Sequence, residues 1–95
     1  MNVFRKVPLS YIRVYEAAGR SLSFADAARE LNLSPSAVSH SVRKLEDLLG
    51  HRLFQRSTRE VRLTREGAML MEHIQRGMDE MQRCLGDCDP GLCQS

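Results

Sequence analysis

Ser34-Pro35-Ser36-Ala37-Val38-Ser39-His40-Ser41-Val42-Arg43-Lys44-Leu45-Glu46-Asp47-Leu48-Leu49-Gly50 is the stretch whose pattern decides the fold. A serine hydroxyl can accept one of the free N–H groups that open a helix. A proline behind it suits the first helical position, where its missing N–H costs nothing and its fixed φ is already helical. Val38, Val42, Leu45 and Leu49 then recur at i+4, i+7 and i+11, one apolar stripe at helical spacing. Gly50 stands where a left-handed residue usually stops a helix. The outward side of the first two turns holds only small or polar groups, Ser36, Ser39 and His40, with Arg43 four residues after Ser39.

Upstream, the pattern predicts two further helices. The first is expected to open near Ser10, capped by its hydroxyl with Pro8 just before, and to bury Leu9, Ile12, Tyr15 and Ala18. Gly19 and the serines at 21 and 23 are expected to end it. Ser23-Phe24-Ala25-Asp26 reads as a cap with an acid three residues on. It opens a short helix that turns Ala27, Ala28 and Leu31 inward, before Asn32-Leu33-Ser34 reverses the chain.

Downstream of Gly50 the period shortens to about two. His51–Arg56 and Glu60–Thr64 flank Ser57-Thr58-Arg59, which predicts a β-hairpin carrying Arg52, Arg56, Arg59 and Arg62. Thr64, with Glu66 in the first turn, is expected to cap a fourth helix. There Ala68 and Met71 are expected to pack back on the domain. Met71, Ile74, Met78, Met81 and Leu85 lie 3, 4, 3 and 4 residues apart, the spacing of a narrow helix-pairing seam. Its distal part lies beyond the reach of a three-helix core, and an apolar seam left exposed is an aggregation hazard unless paired, so the reading is a dimer interface. Residues 86–95, rich in turn formers, are expected to form a disordered tail.

Composition narrows the function. Of 95 residues, 42% are apolar and 27% charged, the balance of one small soluble domain. No apolar run approaches the roughly eighteen residues of a membrane helix, and the N-terminus does not read as a secretory signal. The three cysteines fall within the last twelve residues, too local for a disulfide framework, which makes a reducing cytoplasm the expected compartment. Cys84, Cys88 and Cys93 lack the paired spacing of structural zinc, so no metal and no cofactor are expected. The net charge of +2 hides an asymmetry. Residues 1–66 hold twelve basic against seven acidic groups; residues 67–95 hold Arg76 and Arg83 against five acids. A basic front half suits a polyanion.

A short helix, a turn, a longer helix and a basic hairpin is the order of a winged helix-turn-helix. The second helix of such a motif needs small polar groups at its N-terminal end, because that end meets the base edges in the major groove. No glycine-rich phosphate loop or nucleophile–base pairing suggests an enzyme, and Ser39 and His40, adjacent on a helix, do not face one another. His51 and His73 read as surface residues without a task.

These residues carry a family resemblance. Ser23-Phe24, Ala27-Ala28, Leu31, Ser34–Ser39, Leu45-Glu46, Leu49-Gly50, Leu53-Phe54, Arg56, Leu63-Thr64 and Gly67 together resemble the N-terminal DNA-binding region of LysR-type transcriptional regulators, from about Leu9 to Leu85. The resemblance implies a mainly α fold: a three-helix winged helix-turn-helix with a two-stranded β wing over residues 7–64, and a long linker helix over 65–85 through which two chains dimerise. The helix-turn-helix would cover 24–43 and the wing 51–64. In the family a sensor domain that binds a small co-inducer follows, and this chain stops where that domain would begin. Many members carry Gln where Pro35 stands, so base reading here shifts to Ser36, Ser39, His40 and Arg43.

The interface expected on double-stranded DNA is therefore Ser23, Ser34, Pro35, Ser36, Ser39, His40, Arg43, Arg56, Thr58 and Arg59. Arg59 would enter a narrow A·T-rich minor groove, and Arg56 would touch a phosphate or clamp the wing. Two-fold symmetry predicts an interrupted palindromic operator. An alternative is a truncated protein-interaction module that titrates full-length regulators through the linker helix; it would need apolar anchors on the third helix and wing, and the sequence has none there.

Overall fold

The computed structural model describes residues 5–57 and 60–88, with no account of the Cys88 side chain. Six elements follow in order: α1 (Leu9–Ser21), α2 (Phe24–Leu31), α3 (Pro35–Leu49), β1 (Phe54–Arg56), β2 (Val61–Leu63) and α4 (Arg65–Cys88). Helices α1, α2 and α3 pack mutually around Tyr15, Ala17, Ala18, Ala27, Ala28, Val38, Val42 and Leu45, all buried. Four of these eight are alanines, so the helix axes can approach closely and a small chain can still exclude water.

The fold is the expected one, mainly helical with a two-stranded antiparallel hairpin, and the caps follow the local chemistry. Ser23 accepts the Asp26 N–H at 3.1 Å and Ser34 the Ala37 N–H at 3.1 Å, with Pro35 in the first turn of α3. Gly50 adopts φ +73° and closes α3 by its N–H on the Glu46 carbonyl at 2.8 Å. Asn32, also left-handed at φ +61°, closes α2, and the next residue, Leu33, donates to the Ala28 carbonyl at 2.8 Å, the longer bond of a Schellman cap.

The start of α1 differs from expectation. Pro8, extended, is the N-cap without a side-chain bond, and its carbonyl receives the Tyr11 N–H at 3.1 Å. Ser10 already lies inside the first turn, where its hydroxyl cannot cap. The buried face differs too: Val14, Tyr15, Ala17, Ala18 and Gly19 are buried, while Leu9 is 60% exposed. Steps of three residues each fall about 60° short of a full turn, so Leu9 ends half a turn from Ala18. Gly19 does not stop the helix, which runs to Ser21 and ends on Leu22 at φ +53°. The Ser21 hydroxyl holds that bend, accepting the Ser23 N–H at 3.3 Å beside the Ser23 carbonyl.

Leu49 is likewise half-exposed, because the last turn of α3 overhangs the helices that cover Val38, Val42 and Leu45. The hairpin pairs Phe54 with Leu63, Gln55 with Arg62 and Arg56 with Val61. These strands are shorter than the sequence suggested, since the Leu53 and Phe54 N–H groups turn to a side chain instead of a strand. Thr64 caps α4, accepting the Gly67 N–H at 3.0 Å and donating to the Arg52 carbonyl at 2.6 Å. Ala68 is exposed; Gly67 takes the buried place expected of it. Helix α4 continues through Gly86 and Asp87 to Cys88, so the first three residues of the expected tail are helical; residues 89–95 lie outside the described residues. Among the described residues no helix is long and apolar enough to cross a membrane.

Candidate nucleic-acid interface

The exposed start of α3 is built from its cap. Of the N–H groups in its first turn, Pro35 has none, Ala37 bonds the Ser34 hydroxyl and Val38 bonds the Ser34 carbonyl at 3.1 Å. That leaves Ser36 N–H as the one donor of this turn without a partner among the described residues, at the positive end of the helix dipole. The Ser36 hydroxyl sits 3.2 Å from that of Ser34. Ser34, Pro35, Ser36, His40 and Arg43 are exposed and Ser39 is half-buried. Ser36, His40 and Arg43, at i, i+4 and i+7, share one face.

Arg43 opens into a groove shared with Glu46, Asp47, Gly50, His51 and Arg52, between the rear of α3 and the lead into the wing. Behind the face lies a knot of contacts around Arg56, expected as a phosphate contact or a clamp on the wing, and Glu46, for which no role was expected. The Glu46 side chain is 5% exposed, and its Oε2 accepts the Leu53 N–H at 2.8 Å and the Phe54 N–H at 3.2 Å. Its Oε1 faces Arg56 Nη2 at 3.9 Å. The Arg56 guanidinium lies 4.9 Å over the Phe24 ring, and its Nη1 donates to Ser39 Oγ at 3.4 Å. Phe24 in turn meets Phe54 edge-on at 5.4 Å, and Phe54 meets Tyr15 at 5.6 Å. One arginine thus ties the wing to both α2 and α3. The signal for Glu46 was present: on a helical wheel it lies about 40° from Val42, a carboxylate beside the core stripe just before a hairpin.

The remaining expected residues fall in three places. Ser23, half-buried, uses an oxygen lone pair as the α2 cap. Thr58 and Arg59 lie outside the described residues, between Ser57 and Glu60, whose backbones join at 3.0 Å. On α4, Met71 is buried against the domain and Ile74 packs partly on its core. Met78 is half-buried, while Met81 and Leu85 are 55% and 58% exposed. The seam therefore grades from core to solvent along the helix.

Electrostatics brace α1 on α2. Arg20 donates to Glu16 at 2.9 Å and to Glu30 at 3.0 Å. The hydrogen bonds to Glu30 and then Glu16 raise the Arg20 pKa, and the same guanidinium holds the Glu30 carboxyl below its ordinary value. Burial pushes the Tyr15 phenol up to about 12.

Residues 9–68 match the family model described as bacterial regulatory helix-turn-helix protein, lysR family. The chain is 61% identical over 85 residues to the HTH-type transcriptional regulator PerR of Escherichia coli K12, covering 90% of this chain and 29% of that protein. The chain thus spans less than a third of the length of that relative. Among solved structures, the DNA-binding domain of BenM in complex with benA site 1 DNA superposes with a TM-score of 0.79 over 92% of this chain and 98% of that one. At 23% identity that likeness concerns the fold alone. The CbnR DNA-binding domain, solved with DNA, is 26% identical with a TM-score of 0.73, covering 90% of this chain and 97% of that one.

Proposed function

The chain belongs to the lysR family of bacterial regulatory helix-turn-helix proteins, and from this premise we propose how its DNA-binding domain reads and grips a duplex. The N-terminal half of α3 lies in the major groove, where Ser36, Ser39, His40 and Arg43 meet base edges. Ser34, Pro35 and the free Ser36 N–H line up against a phosphate, which the helix dipole favours. Ser23 gives its hydroxyl proton to a second phosphate, its oxygen being already engaged as a cap. Arg56 borders this face, and Thr58 and Arg59 follow the wing into the adjacent minor groove. Two chains pair through the exposed part of α4, with Met71 and Ile74 at the root of the seam and Met78, Met81 and Leu85 along it. The target is an interrupted palindrome with half-sites ~34 Å, or a multiple of that, apart. Such a domain works in the cytoplasm, where the DNA is. A co-inducer, in a regulator of this plan, binds a sensor region that these 95 residues do not include.

The observation that carries this reading is the bare, polar start of α3. It exposes serines, a histidine and an arginine with no large apolar side chain among them, and it is braced from behind by Arg56 and Glu46. The test is selection from random duplexes with wild type, Ser36→Ala and Arg43→Ala. The expected outcome is a two-fold symmetric motif that loses information at different base pairs in the two variants. Motifs unchanged in both variants would remove α3 as the reading element. Affinity should also fall steeply with salt, as phosphate contacts require.

A further inference from the structure

A serine hydroxyl on a recognition helix is ordinarily ambidextrous: it donates one proton and accepts through two lone pairs, so it suits most base edges. Ser39 differs because its oxygen is already approached by a cation. Arg56 Nη1 donates to Ser39 Oγ at 3.4 Å, and among the described residues the Ser39 hydroxyl donates to nothing. The guanidinium is not free to swing away. Its central carbon lies 4.9 Å over the centroid of the Phe24 ring, and its Nη2 faces the buried Glu46 carboxylate at 3.9 Å. Glu46 is itself fixed by the Leu53 and Phe54 N–H groups. The chain of contacts thus runs from the backbone at the root of the wing, through Glu46 and Arg56, to one side chain of the reading face.

We propose that Arg56 is a specificity-determining positioning residue, which locks Ser39 as a hydrogen-bond donor and makes it select guanine over adenine at one base pair. A positive group beside the oxygen repels a second donor and polarises the O–H outward. The major-groove edge of guanine offers two acceptors, N7 and O6, whereas adenine pairs its N7 acceptor with the N6 amino donor. A donor-only hydroxyl is matched by the first edge and conflicts with half of the second. A free hydroxyl can accept from the amino group and tolerates both. This inference rests on the reading of α3 as the base-contacting helix.

The test starts from the motif selected by the wild-type chain. The base pair that loses its preference in Ser39→Ala identifies the Ser39 contact, and binding is then measured on duplexes carrying guanine or adenine there. Wild type should favour guanine by about tenfold, the equivalent of one ordinary hydrogen bond gained and one conflict avoided. Arg56→Met should reduce this to about twofold or less, and Ser39→Ala/Arg56→Met should discriminate no worse than either single variant. If Arg56 served only as a phosphate contact, Arg56→Met would weaken both duplexes equally, lower the salt slope by about one and keep the tenfold ratio; that result overturns the proposal. So does a wild type that does not prefer guanine at the Ser39 position. A selection motif that Ser39→Ala leaves intact at every position instead overturns the base-reading role of Ser39 itself.

A second reading needs no variant, should Arg56→Met fail to fold. In the free wild-type domain the Arg56 guanidinium should show separate, slowly exchanging Nη proton resonances, as a clamped fork does. A single averaged resonance, typical of a freely rotating arginine, overturns the lock.

Discussion

Replacing Glu46 with alanine should cost far more stability than its helix position suggests. The side chain is 5% exposed and its Oε2 is the acceptor for two backbone N–H groups, Leu53 at 2.8 Å and Phe54 at 3.2 Å. Each donor left unsatisfied in a buried setting costs about 1–3 kcal/mol, and Arg56 loses the carboxylate facing it. Partial rehydration of the wing root offsets some of this, so a net loss of about 3 kcal/mol is expected. A domain of this size has roughly 5–14 kcal/mol in all, and the melting temperature should fall by roughly 12–24 °C. Glu46→Gln keeps one acceptor oxygen for the two N–H groups but gives up the charge and turns its NH2 donor toward Arg56, so about 1 kcal/mol is expected. Urea unfolding followed by circular dichroism, at one protein concentration for all three proteins, measures both values. An alanine variant within about 0.5 kcal/mol of wild type, or a glutamine variant as damaged as the alanine one, refutes the assignment of that carboxylate as the anchor of the wing.

Three further outcomes follow from the packing. Tyr15 ionises at about 12 in the folded chain against an ordinary 10.0; an acid whose pKa rises on folding contributes stability that is whole below pH 10.0 and is lost as the pH climbs through about 12. The urea midpoint of wild type should therefore fall across that window more than that of Tyr15→Phe, and parallel curves would contradict the burial of the phenol. Gly67→Ala should destabilise by about 1–3 kcal/mol, because the new Cβ overlaps the Leu53 carbonyl oxygen, whereas Gly77→Ala meets open space and should gain about 0.5–1 kcal/mol of helix propensity; thermal melts that rank the two alike would refute the close approach. Met81→Lys should turn a dimer into a monomer in analytical ultracentrifugation while Met69→Lys, equally exposed but about 120° round α4 from Met81, leaves it paired, and a monomeric wild type at high concentration would refute the seam.

What could be read from the chain beforehand was whatever depends on neighbours in sequence. Caps at Ser23, Ser34 and Thr64, the proline at the head of α3 and the left-handed Gly50 are local chemistry, and they set the element order. The misreadings are of two kinds. A stripe stepped by threes drifts round the helix and so points to Leu9 as core, and only the position of α2 and α3 reveals that Val14 is buried instead. Gly86 suggested an end to α4, yet one glycine costs only about 1 kcal/mol and a helix already propagating can absorb it. The pairing of Arg56 with Glu46 and Ser39 was not legible for a stricter reason: the three residues are 7 to 17 positions apart and meet only once the hairpin folds back on α3. The exposed face itself was legible, since it needs only the phase of one helix.

The root of α4 is fastened to the three-helix core and to the lead into the wing. Three contacts seat it on the core: the Tyr15 hydroxyl donates to the Gly67 carbonyl, Gly67 lies directly against the Leu53 carbonyl, and Met71 covers Gly19 so closely that a Cβ there would collide with its methyl group. Leu53 is also the residue whose N–H is held by Glu46. The first two turns of α4, the root of the wing and the rear of α3 thus meet in one packed joint between the exposed face of α3 and the apolar stripe of α4. Beyond Ile74 the helix runs on for another fourteen residues to Cys88, about 21 Å of lever. In the proposed dimer, then, the separation of the two reading faces would be set at the joint: a tilt of about 10° at Gly67, about 31 Å from Cys88 along the helix, would move the far end of each helix by roughly 5 Å, more than one base-pair step of ~3.4 Å along a duplex strand. In that proposed dimer Gly67 and Gly19 would set half-site spacing as well as stability, and a Gly19→Ala protein that still folds should select a palindrome with an altered spacer, while an unchanged spacer would mean that the seam, not the joint, sets the distance.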